Sequence, residues 1–425
     1  MQKETPVLNY GSWYLPAALL CIIIALPVCI LAQQDTSKNL REVKVSSSPV
    51  PHLQSITPAQ QIVAKDFERY SAFNVADAIR NFTGIILKDY GGIGGLKTVS
   101  VRGLSANHTA VIYDGVQLND AENGQIDLGK LNLNNVQEIS LYNGQPPNIC
   151  MPARSFASAS ILYIKTVKPA LAGIKPYLIT AGVKTGSFNL LNPYLQWQQR
   201  ISKNWSFIVN SYLENANGRY KYKTFGNGAD STHSRTNADI SAQQIDGALY
   251  WAKSDSNNFN LHINLYNSDR GLPGAVIFYK TSPTRDRLFN NDLFLQTGYE
   301  HIWVNGIHLL VNTKVSQMHL RYLNPLFLNA EGKLDQRFTQ YEAYQSAALA
   351  YHLSPNIKVS YAIDVFANKL NTNLFNFSYP TRINILNVLA SNLTVGKFRL
   401  QASLLNTNIT ETVRTGRAAP HLNVY

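Results

Sequence analysis

Phe259-Asn260-Leu261-His262-Ile263-Asn264-Leu265 sets four apolar side chains at odd positions against three polar ones at even positions. A period of two marks an extended strand with one apolar and one polar face. The alternation returns at 357–365, where Ile357, Val359, Tyr361, Ile363 and Val365 oppose Lys358, Ser360, Ala362 and Asp364. It returns again at 397–404, where Phe398, Leu400, Ala402 and Leu404 oppose Lys397, Arg399, Gln401 and Ser403. Tight-turn residues gather at 202–204, 255–258, 305–306, 354–356 and Gly396, with longer polar excursions at 214–243, 269–287, 324–336 and 369–380. Short turns at one end alternating with long loops at the other describe an up-and-down barrel with unequal rims. A sandwich shares the alternation, but its strands average about five or six residues, and many runs here allow ten or more. Trp197, Trp205, Trp251 and Trp303 sit near strand ends, where an interfacial belt would put them, although ordinary core packing would also use them.

Counting from 175 to 406 gives about 11 strands, and 421–425 reads as the start of another. An open edge in lipid strands unpaired N–H and C=O groups. The expectation is therefore a partial barrel over 169–425, from an interrupted or incomplete sequence. Composition agrees. Of 425 residues only 15% are charged, against roughly 25% in ordinary soluble proteins. The net charge of +12 is thinly spread: 33–168 holds 13 Lys/Arg against 11 Asp/Glu, and 169–425 holds 24 against 14. With no basic cluster, a nucleic-acid partner is not expected.

The first 32 residues read as a signal peptide. No charge occurs from Trp13 to Ala32, Leu19 to Leu26 is a continuous apolar run apart from Cys21, and Pro27 precedes an abrupt polar switch at Gln33. An uncleaved anchor is the rival reading, and Leu26-Pro-Val-Cys29 lacks the small residue of a lipoprotein signal. Cleavage would remove Cys21 and Cys29 and leave Cys150 alone, which excludes an internal disulfide. No His/Cys spacing suggests a metal, and no nucleophile–base constellation suggests an enzyme. Neither a metal site nor a cofactor is expected.

Between a flexible flank at 33–54 and a basic hinge at 165–169 lies a stretch of different grammar, 55–166, read as a compact α+β domain. Val75, Ala78 and Ile79 share one helical face, and Gly84 reads as the cap that ends the helix. A glycine-rich loop follows at 90–95, then a strand 98–102 ending in Arg102-Gly103. Next come a hairpin turn at Tyr113-Asp114-Gly115 and a Val136-Gln-Glu138-Ile strand closing on Gly144. Arg102 reads as one half of an ion pair with Asp114 or Glu138, because a lone interior charge is costly; a solvated strand end is the other reading. The 91–98 run lacks the Gly-Lys-Thr ending of a phosphate loop.

In that order these pieces resemble the plug domain of TonB-dependent outer-membrane receptors. The resemblance implies an α+β plug followed by an antiparallel transmembrane β-barrel of 22 strands, truncated here at about 11. Two departures stand out: Asn143 where the family often has Arg, and Ala153-Arg-Ser-Phe-Ala-Ser-Ala-Ser160 where it has a glycine-rich run. Upstream, Leu40-Arg41-Glu42-Val43-Lys44-Val45-Ser46 resembles the TonB box, and its alternating valines suit strand addition to a partner; a linker or the first plug strand would read alike. The resemblance implies export to a Gram-negative outer membrane and energy-coupled uptake of a scarce small molecule. The partners it implies are lipid, a TonB-type energy transducer and, as a further option, a surface lipoprotein. The segment 270–279 is apolar for a loop and resembles one in vitamin B12 receptors, so a corrinoid is the first ligand expected and a ferric siderophore the second. Tyr90, Ser105, Asn107 and His108 on the plug, with Arg270, Phe278 and Tyr279 on that loop, are the candidate ligand contacts. A passive porin-like barrel and a secreted β-rich binding protein are the alternatives.

Overall fold

The computed structural model describes residues 59–120, 124–146, 148–169, 176–226, 229–275 and 284–414. The signal segment, Leu40–Ser46, Phe278 and Tyr279 lie outside them. The first part of the described chain is built on a five-stranded sheet in the order β1 (Ala59–Val63), β6 (Val136–Asn143), β7 (Ser160–Thr166), β4 (Thr109–Tyr113), β5 (Val116–Gln117). Its neighbours are antiparallel except β4 and β7. A separate hairpin joins β2 (Ile85–Asp89) to β3 (Lys97–Val101).

The expected helix forms over Val75–Ile79, its first turn capped by the Asn74 side chain, which accepts from the Asp77 N–H at 3.0 Å. Val75, Ala78 and Ile79 are buried in one apolar cluster with Ile139, Leu141, Leu162 and Ile164. Gly84 is not the cap. The helix ends at Ile79, and Gly84 sits beyond it at φ +79°, its carbonyl accepting the Arg102 N–H at 2.7 Å. Asp114 and Gly115 both have positive φ (45° and 88°), which makes the two-residue hairpin turn between β4 and β5. The 90–95 loop is folded tightly rather than open. The Asp89 carboxylate accepts from the Gly91 and Gly92 N–H groups, and Gly95 lies so close to Gly91 that a Cβ there would overlap its backbone nitrogen.

The second part is one eleven-stranded antiparallel sheet of β8 (Tyr177–Gly186), β9 (Leu190–Arg200), β10 (Trp205–Ala216), β13 (Ile240–Ser254), β14 (Asn257–Leu272), β15 (Asp286–Ile302), β16 (His308–Asn324), β17 (Leu334–Ser354), β18 (Ile357–Thr372), β19 (Pro380–Val395) and β20 (Phe398–Val413). A small hairpin, β11 (Tyr220–Gly226) with β12 (Ala229–Arg235), stands on the longest loop. All five tight turns and all four long excursions fall where the sequence places them. Several strands reach further into the excursions than alternation alone foretells, because cross-strand ion pairs hold their ends: Arg287 bridges Asp239 and Asp269. Among the described residues β8 pairs only with β9, and β20 only with β19.

The wall is inverted relative to a soluble protein. On β14 the apolar Ile263 and Leu265 are 41% and 42% exposed, whereas the polar His262 and Asn264 between them are 1% and 5% exposed. The polar face is therefore the covered one, and the domain built on the five-stranded sheet covers it, as a plug lies against a wall. All four tryptophans of the sheet lie at the short-turn rim, with Trp205 against Trp251 (6.4 Å between ring centres) and Trp197 against Phe207 (5.1 Å).

Candidate functional site at the seam between plug and wall

Burying the polar face of a sheet is tolerable only if its groups find partners. The partners come from the plug, through three clusters. In the first, Pro152 opens a single tight turn, Ala153–Phe156, whose leading N–H groups have no acceptor within the turn. Asp364 of β18 supplies it: its carboxylate accepts from the Ala153 N–H at 2.9 Å, the Arg154 N–H at 2.8 Å and the Tyr344 hydroxyl at 2.9 Å. The Arg154 guanidinium reaches Glu342 at 3.1 Å and lies 4.4 Å from the Phe366 ring centre, and Glu342 also takes the Lys314 ammonium at 3.4 Å. Two cations around one carboxylate balance the Asp364 and Glu342 charges in a place water does not reach.

The second cluster lies toward the long loops. Arg270 pairs with Asp127 of the plug at 2.8 Å and donates to Asn290 at 2.9 Å, while Lys130 of the plug pairs with Asp292 at 2.8 Å. Burial alone would raise the Asp127 pKa. The charges of Arg270 and Lys130, with the Lys97 N–H at 3.0 Å, outweigh it and hold the carboxyl below the ordinary range. A cavity of about 100 Å³ opens beside this cluster, lined by Leu118, Tyr266, Leu288, Phe294, Met318 and Leu320 together with the charged groups.

The third cluster surrounds the β4–β5 turn. Asp114 accepts from the Thr166 N–H at 2.9 Å and lies 3.6 Å from His262, while Asp246 accepts from Asn135 at 2.6 Å and Asn264 at 3.0 Å. Side chains of the wall also bond to plug carbonyls: Gln296 to Tyr113 at 3.2 Å and Ser360 to Ile149 at 2.7 Å. Cys150 is buried against the His308 and Ala348 carbonyls, and burial pushes its thiol up to about 12.

The attachment is uneven. Among the described residues, no hydrogen bond or ion pair joins 59–92 to the wall; the approaches there include the Lys184 ammonium over the Phe73 ring at 5.4 Å and Gly91 against Pro273. The bonded seam belongs to 94–167.

Several expected site residues lie elsewhere than the sequence suggests. Arg270 is not a loop residue offered to a ligand; it sits inside β14, buried and committed to Asp127 and Asn290. Arg102 forms no ion pair with Asp114 or Glu138. It is exposed at the end of β3 with φ +52°, Asp114 turns to Thr166 and His262, and Glu138 accepts from Ser140 at 2.7 Å. Gly103 follows with φ +79°, and Gly144 with φ +88° donates to the Ala159 carbonyl at 2.9 Å. Tyr90, Ser105, Asn107 and His108 are all exposed. Tyr90 precedes Gly91, which approaches Pro273 at the β14 end and so stands near a long-loop segment, whereas Asn107 lies beside Gly124 of the same domain. Asp127, Lys130, Arg154, Lys314, Glu342 and Asp364 were missed. Their signal was present: Lys314, Glu342 and Asp364 sit mid-strand on the polar face, far from any loop, where a charge requires a partner.

A family model, TonB-dependent Receptor Plug Domain, matches residues 52–149. Among solved structures, the FrpB iron transporter from Neisseria meningitidis (F3-3 variant) aligns with TM-score 0.65 at 12% identity, over 84% of this chain and 60% of that one. The copper transporter OprC aligns with TM-score 0.63 at 12% identity, over 86% and 58%. FpvA of P. aeruginosa in complex with a heterologous pyoverdine and iron aligns with TM-score 0.60 at 10% identity, over 86% and 54%. At these identities the likeness is one of fold, and the chain spans about 60% of the length of the first of them.

Proposed function

From a chain that carries a TonB-dependent receptor plug packed on the inverted strand wall of those receptors, we propose energy-coupled uptake of a scarce metal chelate across an outer membrane. The observation that carries this reading is the seam: a globule held by buried charges against the polar face of a sheet whose apolar face is exposed. An apolar outer face with a tryptophan rim suits lipid. A plug tied on by discrete polar contacts can be released by pulling, because each contact has water as an alternative partner once the seam opens. The uneven attachment supplies a direction. Tension on Leu40–Ser46 from a TonB-type transducer would reach 59–92 first, the part with no polar bond to the wall, before it loads the Asp364 and Arg270 clusters.

For the ligand, a ferric siderophore now stands ahead of a corrinoid. The similar folds are those of iron, copper and pyoverdine proteins, and the argument from 270–279 weakens once Arg270 is an interior residue. Tyr90 remains the plug residue we assign to the ligand side, because Gly91 next to it approaches Pro273 at the long-loop end of β14. The test is growth rescue by the encoded protein in two hosts: ferric siderophores in an iron-starved host lacking its own siderophore receptors, and cobalamin in a cobalamin-requiring host lacking its own cobalamin receptor. Rescue by a siderophore that is lost on deleting 40–46, while ligand binding persists, supports the reading. Rescue indifferent to that deletion would favour a passive pore, and rescue by cobalamin alone would restore the corrinoid.

A further inference from the structure

The outward face of the wall carries a groove of about 590 Å³ across β15 to β18. Its floor is Ala343 beside Ala367, neighbours in register, and its sides are the larger Leu295, Val315 and Tyr341. The next row toward the long loops is Leu293, Gln317, Tyr341, Lys369 and Thr381, in which Lys369 is the one charged side chain.

At the long-loop ends of the same strands Arg287 pairs with Asp239 and Asp269, Arg321 and Arg337 share Asp335, and Arg382 pairs with Glu411. Lys369 is exposed and has no acidic partner among the described residues. A cation bordering hydrocarbon without a counter-charge is costly unless an anion comes from the surroundings. Its methylene stem can lie along the groove while the ammonium reaches the polar boundary.

We propose that this groove binds a phosphate-bearing acyl lipid of the surrounding membrane, its chain over Ala343 and Ala367 and its phosphate on Lys369. An apolar trough with one uncompensated cation at its loop end fits an amphiphile with an anionic head and does not fit a neutral one equally well. The proposal rests on the reading that the wall faces lipid. The test places the full chain in phosphatidylcholine nanodiscs doped with spin-labelled phosphatidylglycerol or spin-labelled phosphatidylcholine, and measures the motionally restricted fraction. The expected result is a preference for the anionic label of roughly fivefold, the equivalent of one lysine–phosphate contact at a membrane surface. Lys369→Gln removes that preference, and Ala343→Trp lowers the restricted fraction of both labels by filling the floor. Equal restriction of both labels by the unaltered chain, or a preference that survives Lys369→Gln, overturns the site while leaving the lipid-facing wall intact. Failure of the unaltered chain to enter the discs overturns the lipid-facing reading itself.

Discussion

Replacing Asp364 by Asn keeps the shape of the side chain and removes the acceptor that the Ala153–Phe156 turn depends on. One carboxylate oxygen takes the Ala153 N–H at 2.9 Å and the other takes the Arg154 N–H at 2.8 Å. An amide can accept only one of these, and it turns its own NH₂ toward the other donor. Hydrogen bonds to a charged group contribute about 1.5–3 kcal/mol each, and a neutral replacement retains about 1. Losing one and weakening the other costs about 3 kcal/mol locally, which is roughly 150-fold in the opening equilibrium of this turn. Residue-resolved hydrogen exchange on the protein in detergent reads that number directly. The amides of Ala153 and Arg154 should exchange about 150-fold faster in Asp364→Asn, while the Leu118 amide, bonded within the plug to Val111 at 2.9 Å, should not change. Acceleration below about threefold at Ala153 and Arg154 would show that the carboxylate is not the latch. Equal acceleration at Leu118 would show that the plug unfolds as a whole rather than letting go at one point.

Arg154→Ala should be more damaging than Arg→Ala at the exposed Arg102, because it leaves buried Glu342 with Lys314 alone; a loss of about 3 kcal/mol would appear as a lowered denaturant midpoint for the plug. Asp127 is held below its ordinary range when folded, so its contribution to stability is complete above the unfolded value of about 4 and fades as pH falls through the folded one. In Arg270→Gln, burial is less opposed and the acid-side decline of the melting temperature should start at higher pH; superimposable profiles would refute the pairing. Cys150, with its thiol pushed up to about 12, should react with a soluble thiol reagent at pH 8 about a thousandfold more slowly than a free cysteine. Measured in a Cys21→Ser, Cys29→Ser background, ordinary reactivity in the folded protein would place that residue outside the seam.

How much was legible in advance differs by distance along the chain. Period-two runs such as 259–265 and 357–365 determine strands, and the turn chemistry at 305–306 and 354–356 determines which end of each hairpin is short, because both depend on neighbours a few residues apart. The Asp114-Gly115 turn was readable for the same reason. Alternation states that a strand has two faces, but it does not state which one is covered. That was decided by the plug occupying the polar side, which left Ile263 and Leu265 outside. Nor could local pattern pair Arg154 with Asp364, 210 positions away, or show that Arg270 answers Asp127 rather than a ligand. A charge on an isolated strand has water as its partner in the unfolded chain, and only when two distant segments exclude that water does the identity of its protein partner become a physical requirement.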